Sequence, residues 1–169
     1  MIVLSAAVVG CADPAVTSPP TRPPCVLEAG FTPASDPDLC SVEQVLRAAI
    51  ERIFAYQPSH HVDQRVAFGA ALALMDPEFA AAAEPAAPAV SPITRHLWQQ
   101  WATDGVTVHA RARVTADDHP VDTSTHASRV LAVSLTPSDG AVIAFTVYAT
   151  VTRSLPSAPW LMSGMRVLG

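Results

Sequence analysis

Residues 106–115 read Val-Thr-Val-His-Ala-Arg-Ala-Arg-Val-Thr. Val106, Val108, Ala110, Ala112 and Val114 alternate with Thr107, His109, Arg111, Arg113 and Thr115. A period of two puts one set on each face of a half-buried strand. Gly105 stands just before it. N-terminal to that glycine the apolar spacing is helical: Val42, Val45, Leu46, Ala49, Ile50 and Ile53 recur at three and four residues and form one stripe. Helices first and strands last predict the α+β class.

The elements follow outward from these two. Ser41-Val42-Glu43-Gln44 has capping-box form, with the Ser41 oxygen accepting from the third helical amide and Gln44 reaching back. Pro58 is expected to stop this first helix. A second helix is expected over 62–75. Asp76-Pro77 restarts a third, short one, an N-cap followed by proline at the first helical position, and it ends near Pro85. Residues 85–92 read as a loop. Ser91-Pro92 is expected to cap one more helix carrying Leu97, Trp98 and Trp101, with Gly105 as its C-terminal stop. After the strand at 106–115, a polar connection covers 117–125. Strands are expected at 128–135, 141–153 and 160–168, the middle one rich in β-branched and aromatic residues. The expected architecture is N-terminal helices packed on a curved four-stranded antiparallel sheet. The first helix covers one face, and polar residues line the other. Trp98, Trp101, Trp160 and Phe145 are expected in the core, because aromatics bury large areas.

Half of the 169 residues are apolar, 15% are charged, and the net charge is -5. That is enough for one domain plus a tether. An acidic chain whose basic residues are ten arginines and no lysines is a poor nucleic-acid binder, since such binding leans on basic patches.

The N-terminus is apolar, and Val8-Val9-Gly10-Cys11 resembles a lipobox, where a bacterial lipoprotein precursor is cleaved and its cysteine takes diacylglycerol. Small residues before the cysteine fit the peptidase, and the free thiol receives the lipid. Residues 1–9 lack the basic n-region of a signal peptide and are too few to span a bilayer, which takes about 20 apolar residues. Either the true start lies upstream, or the segment is the tail of a truncated transmembrane helix. The alternative to both is a cytoplasmic chain with a chance V-V-G-C. The expected division is a signal-like segment over 1–11, a Pro-rich tether over 12–40 and a folded domain over 41–169. Pro19-Pro20 and Pro23-Pro24 make the tether semi-rigid.

With Cys11 lipidated, Cys25 and Cys40 remain. A disulfide between them closes a loop of roughly 15 residues, worth about 3 kcal/mol in the chain-entropy model, and suits an oxidising compartment. Two unpaired thiols are the alternative. Neither has a CxxC partner, so no zinc or thioredoxin-like site is expected.

Asp117, Asp118, His119, Asp122 and His126 form the densest polar cluster. It has the residue types of a divalent-cation site, but Asp-Asp-His-Pro is also ordinary turn chemistry, and a solvated loop is the expectation. His60, His61 and Asp63 sit at a helix start, where such residues cap or solvate. His109, Arg111 and Arg113 share one strand face. In an enzyme that face lines a pocket, with His109 as acid/base, but no carboxylate is placed to orient it. No Gly-rich phosphate loop and no G-x-S-x-G elbow occur. No catalytic residue, metal or cofactor is therefore expected. Arginine and tyrosine are favoured at interfaces, so Arg111, Arg113 and Tyr148 are the expected contact residues.

Ile53-Phe54-Ala55-Tyr56, Trp98 and Trp101, Asp118-His119-Pro120, and Trp160-Leu161-Met162-Ser163-Gly164-Met165-Arg166 together resemble the NTF2-like, cone-shaped fold over residues 41–169. More closely they resemble two families: the Mce-associated membrane proteins, and the extracytoplasmic domain of the inner-membrane assembly component of type IV secretion and conjugation systems. The resemblance implies a membrane-anchored scaffold at the extracytoplasmic face that works through contact with other envelope or secretion-system proteins. It carries over no catalytic residues. The alternative reading is a small-molecule binding protein or enzyme using an NTF2-like pocket.

Overall fold

The computed structural model describes Cys25 and residues 36–168. Cys11 and nearly all of the 12–40 tether lie outside the described residues. The helical half runs α1 (Val42–Ile53), α2 (Gln64–Gly69), α3 (Pro77–Ala83), α4 (Ala87–Val90) and α5 (Arg95–Asp104). The strands are β1 (Val108–Val114), β2 (His126–Pro137), β3 (Ile143–Thr152) and β4 (Leu161–Leu168). They form one antiparallel sheet in the order β1-β2-β3-β4. The protein is α+β.

Helix α1 starts where the capping residues direct. The Ser41 hydroxyl accepts from the Gln44 N–H at 3.3 Å. Gln44 does not complete the box. Its Oε1 accepts from the Asp38 N–H at 3.1 Å, while the Asp38 carbonyl accepts from Ser41 and its carboxylate from the Cys40 N–H. A turn just upstream thus takes the glutamine. Val45, Leu46, Ala49, Ile50 and Ile53 are all buried. They lie on the sheet face built by Leu131, Val133, Leu135, Val147, Ala149 and Val151, which are buried as well. Each valine, leucine and isoleucine among them contributes about 1.5–3 kcal/mol on burial, and each alanine less. The helix ends at Ile53, earlier than Pro58, because Tyr56 exchanges two backbone hydrogen bonds with Val108. Extended pairing to the sheet draws the chain out of the helix before proline acts.

The region 62–75 is not one helix. It breaks after Gly69, and a 3-10 turn, Leu72–Leu74, follows. Met75 and Asp76 then run beside β4, with the Asp76 N–H donating to the Met162 carbonyl at 2.9 Å. Asp76 caps α3 through the Glu78 and Phe79 amides with Pro77 at the first position. Residues 84–90 are a 3-10 turn and a short helix, because Pro85 and Pro88 sit at first-turn positions, where proline is tolerated. Thr94, not Ser91, caps α5. The Ser91 hydroxyl is occupied by the Tyr56 phenol and the Ile93 amide. Gly105 closes α5 with φ of 68°, the left-handed conformation glycine adopts freely. All three tryptophans are buried, and Phe145 stacks edge-on against Phe54.

Both outer edges of the sheet are partly occupied. On β1, Tyr56 pairs with Val108, and the Glu51 carboxylate of α1 accepts from the Ala112 N–H at 3.1 Å. On β4, Met75 and Asp76 cover Met162. Unpaired edge groups template pairing with other chains, and these contacts shorten the exposed run. Trp160 ties the far corner. Its backbone N–H donates to the Leu39 carbonyl, and the buried Arg153 guanidinium lies 4.1 Å from its ring. The Arg153 Nε–H and backbone N–H donate to the Ser124 and Thr125 carbonyls.

Cys25 and Cys40 form a disulfide, with Cα atoms 5.6 Å apart. It fastens Cys25 to the turn that feeds α1. The bond closes a separation of 15 residues, so the C25S/C40S protein is expected to lose about 3 kcal/mol of stability, read as a lower urea midpoint.

The β3–β4 register shifts by one residue between Thr150 and Val151, a bulge whose extra residue is Ser163. Gly164 faces Thr150 there, and a Cβ at Gly164 would lie 2.5 Å from the threonine Oγ1 and 3.8 Å from its Cβ. Gly164→Ala is expected to cost about 1–3 kcal/mol by overpacking. Adding Thr150→Ala, which removes the clashing oxygen, should recover most of it in thermal unfolding.

Candidate functional site

The sheet presents its second face away from α1, and the register decides what stands there. In β1, Val108 and Ala112 are buried while His109, Arg111 and Arg113 are exposed. Arg111 pairs with Ser134, and Arg113 with Ala132. Ala132 pairs in turn with Thr146, and Val130 with Tyr148, which stands opposite Arg166 of β4. Cross-strand partners share a face, so Arg111, Arg113, Tyr148 and Arg166 all lie on this one. With strands about 4.8 Å apart and a rise of about 3.4 Å per residue, the Cα atoms of Arg113 and Tyr148 are about 12 Å apart. Arg111, Arg113, Ala132 and Ser134 frame a shallow depression of about 230 Å³. The short Ala132 and Ser134 side chains make its floor.

The charge here is one-sided. None of the four strands contains an Asp or a Glu, although the chain carries 15 such residues. The remaining strand arginine, Arg129, points to the opposite face and is gripped by both Asp122 oxygens at 2.7 and 2.8 Å. That contact raises the Arg129 pKa. The outer face is therefore cationic on an acidic protein. His109 stands on it, exposed, with no strand carboxylate beside it.

The loop cluster does structural work. Asp122 holds Arg129, Asp117 accepts from the Thr115 hydroxyl at 2.6 Å, and His119 Nδ1 lies 2.9 Å from the Pro120 carbonyl. Among the described residues no group of three or more His, Cys, Asp and Glu side chains is arranged to hold a metal ion. At the other candidate cluster, Asp63 caps α2 and is gripped by Arg65, whose side-chain hydrogen bond holds the carboxyl below its ordinary range. His61 Nδ1 accepts from the Gln57 N–H at 3.3 Å. Burial, helped by the neighbouring His60, lowers its pKa.

Two features escaped the alternation rule. Arg166 is on the outer face only because the bulge reverses parity within β4. Met162 is a core residue, yet the odd-numbered Met165 and Val167 also face the core and pack against it, half-buried. The pair of small residues Ser163-Gly164 is the sequence signal of that reversal. Arg153, the last residue of the strand expected over 141–153, lies one residue past β3 and is buried across the indole of Trp160.

No family model matches the chain, and neither a curated protein nor a solved structure does. Among the described residues no helix is long and apolar enough to cross a membrane.

The lowered His61 pKa fixes the sign of a pH effect. The unfolded chain binds this proton more readily than the folded one, so stability is full above the ordinary value of 6.5 and falls as pH drops below it. His61→Gln keeps an acceptor for the Gln57 amide without a titrating group. It should flatten the decline in Tm between pH 7 and pH 5, measured by circular dichroism.

Proposed function

We propose that this chain is a non-catalytic extracytoplasmic module, anchored at the membrane through lipidated Cys11, that binds an acidic envelope protein through the outer face of its sheet. The reading includes an NTF2-like arrangement for the domain and a place in a secretion, conjugation or transport assembly. The observation that carries it is the cationic face without strand carboxylates, where Arg111 and Arg113 stand exposed on β1 and Tyr148 two strands away. Arginine and tyrosine combine charge, planar hydrogen bonding and large contact area, which suits them to interface centres. The Cys25–Cys40 disulfide supports export, since such bonds persist in oxidising compartments. The packed interior supports contact over turnover: Leu131, Val133, Leu135 and Val147 fill the space between sheet and α1, where a cone pocket would otherwise lie.

A photo-crosslinking residue at Ser134, on the floor of the depression, tests this in the native host. The expected result is a single dominant protein adduct in the membrane fraction. Reversing both charges (R111E/R113E) should weaken that contact about 100-fold, as loss of two interface charge pairs does. Reversing Arg47, exposed on α1, should leave it intact. Cys11→Ser should release the protein from membranes. Adducts insensitive to the β1 reversal, or membrane retention without Cys11, would overturn the proposal.

A further inference from the structure

A second site, on the helical side of the molecule, is independent of the sheet face. A cavity of about 520 Å³ opens between the turn preceding α2 and the start of α5. Its apolar wall is Ile93 and Trp98. The indole packs edge-on against the Tyr56 ring with centroids 5.3 Å apart, which holds it in one orientation. Its polar groups come from two helix starts. Gln64 is the first residue of α2, while Arg95 and Gln99 stand one turn apart on α5.

Gln64 is the informative residue. It is only 7% exposed, and its amide makes no hydrogen bond to any described residue. Neither amide atom is among the buried side-chain atoms sealed away without a partner, so the amide is reachable, and the residue lines the cavity. An accessible amide without a protein partner, on a residue of the cavity wall, is available to hydrogen-bond a molecule that enters.

The charge left without an ion-pair partner at the site is positive. Asp63, also on the cavity wall, is consumed by Arg65 through both carboxylate oxygens at 2.6–3.1 Å and through the Arg65 N–H. Arg95 has no ion pair among the described residues. It stands at the first position of the ten-residue α5, where the helix dipole adds to its positive potential.

We infer that this cavity binds a small apolar monocarboxylate, with the carboxylate on Arg95, the apolar body against Trp98 and Ile93, and Gln64 and Gln99 donating to or accepting from polar groups of the ligand. A guanidinium takes a carboxylate in two parallel hydrogen bonds, and an indole face takes an aromatic or branched body. A dianion would leave one charge uncompensated in a site with a single free cation. A neutral ligand would leave Arg95 unused.

The test is titration of the ¹⁵N-labelled full chain with 4-phenylbutyrate, reading the Trp98 indole N–H signal assigned by Trp98→Phe. Its neutral isostere, 4-phenylbutan-1-ol, is titrated in parallel. Saturable movement of the Trp98 signal with the acid is expected, with the alcohol weaker by about tenfold, the worth of one charge-assisted contact. Arg95→Gln, at an exposed position, should weaken the acid by about the same factor and leave the alcohol unchanged. Gln64→Met, checked for folding by circular dichroism, should weaken both. No saturable shift would overturn the inference. So would equal affinity for acid and alcohol, or indifference to Arg95→Gln. None of these outcomes bears on the sheet face, since no residue is shared.

Discussion

The structure depends on one-sided burial of the sheet. A four-stranded antiparallel sheet of this length has one face too apolar for water, and α1 has one apolar stripe that needs a partner. Each satisfies the other. Once Val45, Leu46, Ala49 and Ile50 lie on Leu131, Val133 and Val147, the remaining arrangements are ways of finishing the contact. Glu51, on the flank of α1, reaches the Ala112 amide and holds β1 to the helix. Tyr56 turns the chain back along Val108. Arg129 sits at the margin of the same face, and its charge is kept there by Asp122, which also secures the loop between β1 and β2. A partly buried ion pair with two parallel hydrogen bonds orders a loop better than an exposed pair does.

The same one-sidedness explains the polarity of the molecule. A strand that must bury alternate residues can place charge only on the others. Here every charged side chain of the outer face is an arginine, and the acids lie in helices and loops. The net charge of -5 conceals this segregation. An acidic partner of the kind proposed would meet a locally attractive surface on a protein that repels it at long range, so such binding would need close approach. That combination suits contacts formed within an assembly, where partners are already confined together.

Most of the strand content was legible in the sequence, because period-two alternation is a direct consequence of having one buried face. Arg111 and Arg113 were placed correctly for that reason, and Tyr148 joins them through register. The first helix was legible from its stripe and its cap, and Asp76-Pro77 from its chemistry alone. What was not legible depended on competition between local and distant partners. Gln44 had a capping target at Ser41, three residues back, and instead accepts from Asp38, six residues back. Ser91 had a helix to cap and was taken by Tyr56, which is 35 residues away. In the stretch 62–75, Gly69 weakens the helix where α2 ends, and the pairing of Met75 with Met162 keeps the chain after it from continuing as helix. The bulge at Ser163-Gly164 inverted the face of everything after it, so Arg166 was hidden. Gln64 carried no signal, because a glutamine at a helix start is unremarkable until its burial is known.

The disulfide changes how the domain would bear load. Cys25 is bonded to Cys40, one residue before the helix cap, and its sulfur also lies 3.7 Å from the Ala158 carbonyl in the turn before β4. The intervening backbone is thereby bypassed. Tension on the chain ahead of Cys25 passes through a covalent bond into the junction where Leu39 meets Trp160, and the 14 residues between the cysteines carry none of it. Pulling therefore acts on the N-terminal end of α1, close to where β4 begins, and does not peel β1 from the sheet edge. Load applied ahead of Cys25 would therefore leave the pairing of β1 with β2 untouched.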